Sequence, residues 1–420
     1  MTMILLVLFF IGYAGIVLEH SIRLDKAATA LMTGVGCWLI CILSYADKEL
    51  VNHQLYEHVA EIAGILFFLI GAMTIVELID LYDGFNIIID KIKTTNKRKL
   101  LVIIGLLAFF LSAILDNLTT AIVMASLSKK IFSEKQDRLI AIGLVVIAAN
   151  AGGAWSPIGD VTTTMLWIGN QISPQGIIKL ILVPSLIAFL VPLGMLLFKV
   201  KGNSLPTENN RASKYSLTEQ TIILYSGLGL LIFVPIFKML THLPPFMGMM
   251  LAVGILWLIS ETLHKRRQEN ANQSSSIFSA LERIDMPSIL FFMGILLAVG
   301  ALQFAGVLQS GANLLSQHIQ NESVLVTGIG LLSAVFDNVP LVAAVQGMYD
   351  LQQYPTDHFF WRFLAYCSGT GGSIFIIGSA AGVAAMGIEK ITFFWYFKNI
   401  SLVALIGYLL GALVCVMLGG

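Results

Sequence analysis

The stretch LSAILDN at residues 111–117 sets an aspartate beside an asparagine in the middle of an apolar run, and LSAVFDN repeats the arrangement at 332–338. Hydrocarbon is a costly place for a carboxylate, since an ionised one loses several kcal/mol unless it is paired, hydrated or coordinated. A chain that carries the same frame twice, 221 residues apart, reads as two related halves with a shared task.

The rest of the sequence sets that task in a membrane. Of 420 residues, 57% are hydrophobic and only 12% charged, too few charges to cover a soluble protein of this length. The 25 basic and 25 acidic residues cancel, so net charge gives no indication of a nucleic-acid partner. Cys37, Cys41, Cys367 and Cys415 all lie in apolar or Gly-rich segments, where they read as small buried residues. The N-terminal run has no basic leader and no clear cleavage site, so it counts as a retained span.

At about 20 apolar residues per crossing, ordinary spans fall near 2–19, 26–45, 58–80, 177–198, 218–240, 245–263, 286–305 and 393–417. Four segments fit less simply. Residues 99–130 and 322–348 are each interrupted by the Asp-Asn pair and are too short for two full crossings, which suggests re-entrant hairpins with the motif at the tip. Residues 138–169 and 360–389 carry NAGGAWSPIGD and SGTGGSIFIIGS at mid-depth, where Gly and Pro unwind a helix. These are expected to be broken transmembrane helices.

The expected architecture is an all-α polytopic membrane protein with about ten full crossings plus two hairpins, both termini outside. Basic residues support that topology, because inside loops accumulate Lys and Arg. The segments 20–26, 81–99, 129–138, 199–217 and 264–285, with Lys390, hold 20 of the 25 basic residues. The remaining five, Lys48, Lys179, Lys238, Arg362 and Lys398, fall outside or near span ends.

A shift near 220 superposes the halves: Gly152-Gly153 and Ile158-Gly159 return as Gly371-Gly372 and Ile377-Gly378. The basic loop 91–99 maps onto 311–320, which has no Lys or Arg, so the halves face opposite ways. Domain boundaries follow: a first inverted-topology repeat at 1–198, a polar linker at 199–217 and a second repeat at 218–420. Inverted repeats with discontinuous helices are a signature of secondary transporters.

Asp116, Asp160 and Asp337 have no Lys or Arg nearby in their own segments. Their neighbours are amides and hydroxyls: Asn117, Thr119, Thr120, Asn150, Ser156, Thr162, Thr163 and Thr164, then Ser333, Asn338, Ser368, Thr370, Ser373 and Ser379. Carboxylate, amide and hydroxyl oxygens suit a hard cation, and unwound carbonyls add further ligands. A carboxylate out of water also holds its proton more tightly. Proton and cation then compete for one place, which is an exchange mechanism in itself.

The alternative role for the Asp-Asn pairs, and for Asp160, is helix capping. Glu61 and Glu77 are candidates for a proton path, and His20 or His58 for a pH sensor. No nucleotide or dinucleotide motif is present, so no cofactor and no enzymatic activity is expected. Na⁺ or Li⁺ is the expected cargo.

The segments LDNLTTAIVM and AANAGGAWSPIGDVTTTMLW, with AVFDNVPLVAAV and SGTGGSIFIIGSAAG in the second half, resemble NhaD-type sodium/proton antiporters of the ion transporter superfamily. The resemblance covers essentially the whole chain. It implies two inverted repeats, a homodimer in a cell inner membrane, and ion-site roles at Asp116, Asn117, Asn150, Asp160, Thr162, Thr163, Ser333 and Asn338. Relatives that carry carboxylate anions have Ser-Asn-Thr at the hairpin tips, where this chain has Asp116-Asn117-Leu118 and Asp337-Asn338-Val339. That difference favours a cation over the alternative, an anion or metalloid transporter of the same superfamily. Asp160 is matched by Ser379, so the two halves are not equivalent.

Overall fold

The computed structural model describes residues 2–17, 24–89, 91–92, 94–204, 215–267 and 276–419. Most of the polar linker, 205–214, lies outside them, as does His20. Among the described residues the protein is all-α, and nine helices are long and apolar enough to cross a membrane. A shorter apolar helix, Thr2–Val17, precedes them.

Both interrupted elements of each half are present. The first hairpin has arms Lys97–Leu115 and Asn117–Ile131, with Asp116 alone between them. Its first arm is 19 residues, long enough by itself to cross. The second hairpin has shorter arms, Glu322–Leu332 and Asn338–Met348, joined by a wider tip at 333–337. The first broken helix runs Lys135–Ala154, opens over 155–160 and resumes at Val161–Ile168. Its counterpart runs Phe359–Gly371, opens over 372–379 and resumes at Ala380–Glu389.

One boundary differs substantially from the expected span at 58–80. The helix there starts at Lys48, capped by Asp47, and continues unbroken to Leu81, 34 residues in all. At 1.5 Å per residue it is about 50 Å long, well beyond the roughly 30 Å of hydrocarbon. Hydropathy detects the apolar length, whereas the first turns, KELVNHQLYEH, are polar and escape it; Asp47 accepting from Leu50 N at 3.0 Å fixes where the helix starts. The segment read as a connection at 311–320 is likewise mostly helix, Val307–His318.

Packing pairs recur between the halves. Helix Lys26–Ser44 lies against Met286–Phe304, and Pro245–Arg267 lies against Lys48–Leu81; a shift near 220 turns the first pair into the second. In the same way Lys97–Leu115 packs on Lys135–Ala154 and Glu322–Leu332 on Phe359–Gly371. Second arms cross between halves: Asn117–Ile131 meets Ala380–Glu389, and Asn338–Met348 meets Val161–Ile168.

Glycine makes the hairpin contacts possible. A Cβ on Gly152 would collide with the Phe109 carbonyl, and one on Gly371 with the Gly330 carbonyl. Serines tie the same elements together: Ser112 Oγ donates to the Ala149 carbonyl at 2.5 Å, and Ser333 Oγ to the Ser368 carbonyl at 2.8 Å.

Candidate functional site

Two helix breaks and two hairpin tips converge on one carboxylate. Asp160 ends the first break in extended backbone and caps the half-helix Val161–Ile168, accepting from Thr162 N at 2.8 Å and Thr162 Oγ1 at 2.7 Å through Oδ1. Only 1% of the residue is exposed, so whatever balances its charge must come from the protein or from cargo.

Both tips reach it with an amide. Asn117 Nδ2, from the first hairpin, contacts Asp160 Oδ2 and also donates to Asn150 Oδ1 at 3.0 Å. Asn338 Nδ2, from the second hairpin, lies 3.4 Å from each Asp160 oxygen. Asn150 in turn donates to Ser373 Oγ at 3.0 Å and Ser379 Oγ at 2.9 Å. A continuous chain of hydrogen bonds thus runs from the second break through Asn150 and Asn117 to Asp160.

The structure brings Asn117, Asn150, Asp160, Thr162, Asn338 and Ser379 together. The two tip aspartates are placed differently. Asp116 adopts φ +87°, unusual outside glycine, and its carboxylate turns back onto Thr119, accepting from N at 2.8 Å and Oγ1 at 2.9 Å. Asp337 caps its own arm through Val339 N at 3.1 Å. Both are half-buried.

The hydroxyls divide in the same way. Thr163 Oγ1 bonds the Asp160 carbonyl at 2.9 Å, on the backbone of the site. Ser333 reaches a carbonyl of the neighbouring broken helix, while Ser368 and Thr370 bond back to Leu364 and Tyr366 within their own helix. Ser373 is a member of the network that the sequence offered only as one oxygen donor among many; its place immediately after Gly371-Gly372 is the local signal that marked it.

Glu61 and Glu77 both sit on helix Lys48–Leu81, far from one another. Glu61 is exposed, 3.5 Å from His58 Nδ1. Glu77 lines a cavity that reaches Leu118 and Thr119 beside the first tip.

Among the described residues no three His, Cys, Asp or Glu side chains cluster as a metal site. A cation here would meet one buried carboxylate and neutral oxygens. Each Asn amide presents nitrogen or oxygen according to its rotation; turning Asn117 or Asn338 by 180° would put Oδ1 where Nδ2 now faces Asp160. The arrangement can therefore satisfy the carboxylate with amide hydrogens or complete a ligand shell.

A family model described as Citrate transporter matches residues 13–364. "Sodium/proton antiporter 1" of Arabidopsis thaliana is 46% identical, with 96% of this chain and 70% of that protein covered. "Sodium/proton antiporter 2" of the same plant is 44% identical, with 96% of each covered. The Na(+)/H(+) antiporter NhaD of Alkalimonas amylolytica is 30% identical over 96% of this chain and 87% of its own length. In fold, the YdaH transporter of Alcanivorax borkumensis superposes with a TM-score of 0.60 at 12% identity, covering 90% of each chain.

Proposed function

The chain belongs to the NhaD-type sodium/proton antiporters within the wider group matched by the citrate-transporter model, and on that footing we propose that it exchanges Na⁺ for H⁺ across a membrane by alternating access. The observation that carries the reading is the fully buried Asp160 with Asn117 and Asn338 turned onto it from the two tips. Li⁺ is a second cargo of the same hard-cation chemistry.

Exchange follows from one carboxylate with two mutually exclusive partners. With Na⁺ bound, Asp160 stays ionised while amide and hydroxyl oxygens complete the shell; with a proton bound, no cation is held. Only these two neutralised states remove the cost of carrying a bare charge through low dielectric. Asn150 joins this centre to the second break, so both halves sense which partner is present.

The matched packing pairs support two inverted repeats at 1–198 and 218–420, with the tips meeting from opposite sides of the membrane. The basic residues of 81–99 and 129–138 support a cytoplasmic position for these loops. The carboxylates at the tips, where the anion-carrying relatives have Ser-Asn-Thr, disfavour an anionic substrate. We also take the protein to be a homodimer of the cell inner membrane.

The test uses everted vesicles from cells lacking other antiporters, acidified inside by respiration and followed with a pH dye. Added Na⁺ or Li⁺ is expected to alkalinise the interior. Silence to both cations, with a response to an organic anion, would move the protein to the anion branch.

A further inference from the structure

Two cavities border helix Lys48–Leu81 at separate levels. One, about 410 Å³, touches His58, Glu61, Ile62 and Ile65 on that helix and reaches Gln346 on the second hairpin. The other, about 350 Å³, touches Met73, Val76, Glu77 and Asp80 and reaches Leu118, Thr119, Ile122 and Ser126 on the first hairpin.

Their linings differ in charge. The first holds His58 and Glu61 beside the neutral amides Asn170, Gln171, Gln303 and Gln346. The second holds three carboxylates, Glu77, Asp80 and Asp285, against one cation, Arg283. A low-dielectric cleft lined by an excess of one sign concentrates ions of the other.

The floor of the second cavity lies one hydrogen bond from the first tip. Thr119 lines it and donates through Oγ1 to Asp116 Oδ2 at 2.9 Å, and the residue after Asp116, Asn117, contacts Asp160. From this continuity we infer that the cavity between helix Lys48–Leu81 and the arm Asn117–Ile131 is the cation's path from the face bearing the basic loops, with Glu77 its capture residue and Asp116 the relay to Asp160. Asp285, the N-cap of helix Met286–Phe304, lines the same cavity.

The path rests on the exchange reading above but is separately testable. The probe is Ser126→Cys in a background without Cys37, Cys41, Cys367 and Cys415, labelled by membrane-impermeant cationic and anionic methanethiosulfonates applied to each face in turn. Labelling is expected only from the basic-loop face. The cationic reagent, after normalisation to a free thiol, is expected to gain about tenfold, a preference that Glu77→Gln with Asp285→Asn reduces to within about twofold. Labelling from the opposite face, or no charge preference, overturns the path.

Transport gives the second readout. Glu77→Gln should raise the Na⁺ KM about fivefold for Na⁺ presented at that face, leave kcat in place, and spare the KM at the other face. Asp285→Asn should act in the same direction and less strongly, which covers a Glu77 variant that fails to fold. An equal change at both faces, or none at either, sinks the assignment. A wild-type protein that moves no Na⁺ at all defeats the exchange reading and leaves the labelling result to decide the path.

Discussion

The two helix breaks end on the same backbone geometry and with different chemistry. Asp160 and Ser379 both end a break in extended conformation, at φ −149° and −147°, and both cap the half-helix that follows. Asp160 receives an amide from each hairpin tip, whereas Ser379 accepts from Asn150 and its own Gly382 N. The matched geometry shows that capping alone does not require a carboxylate at this point. The charge at 160 is then free to serve another purpose, and the repeat supplies a built-in control for each half of the claim.

The most severe way to break the comparison is to make the halves alike. Asp160→Ser should leave the fold intact and cut Na⁺-driven proton exchange by about 100-fold or more, the scale of removing a buried charge's partner. Retained activity in reconstituted vesicles would end the assignment. Asn150→Ala comes next, because it strands Ser373 and Ser379 and releases Asn117. A loss of about 30-fold in kcat/KM is expected, about 2 kcal/mol for a disrupted buried network, with Na⁺ binding by calorimetry weakened in parallel.

Glycines test the scaffold that the halves have in common. Gly152→Ala and Gly371→Ala each drive a methyl against a carbonyl, and each should cost about 1–3 kcal/mol, seen as lower melting temperatures of similar size in detergent. A large effect in one half alone would show that the hairpin contacts are not equivalent. The tips should separate more gently: Asp116→Asn keeps the cap but loses the relay, for about a tenfold drop in exchange, while Asp337→Asn stays within about threefold. Ser368→Ala, whose hydroxyl bonds its own helix, should change exchange and stability negligibly, within about 0.5 kcal/mol.

Much of this was legible in the residues. Gly-Gly and Pro-Ile-Gly-Asp marked the first break and the Asp-Asn pairs marked the tips, because polar and helix-breaking residues stand out against hydrocarbon. Membrane class, helical fold and exchange chemistry followed from the same contrast. Tip conformation was not legible: that Asp116 turns back onto Thr119 depends on a positive φ, and spacing alone could not order three aspartates. The length of helix Lys48–Leu81 was hidden for the opposite reason, since its polar turns lie outside the hydrocarbon that hydropathy measures. Asp285 and Ser126 escaped notice because a cavity is assembled from elements distant in sequence.

The glycine and serine contacts of the hairpins carry a mechanical consequence. Gly152 rests on the Phe109 carbonyl, Ser112 reaches the Ala149 carbonyl and Ser156 the Ala113 carbonyl, so at these points hairpin and broken helix meet at the backbone itself. Cores packed this closely shift between discrete arrangements and do not deform smoothly. Each hairpin is in effect bolted to its broken helix, and any stroke that exposes Asp160 to one side must carry both together as a single rigid part, sliding against the long helices around it.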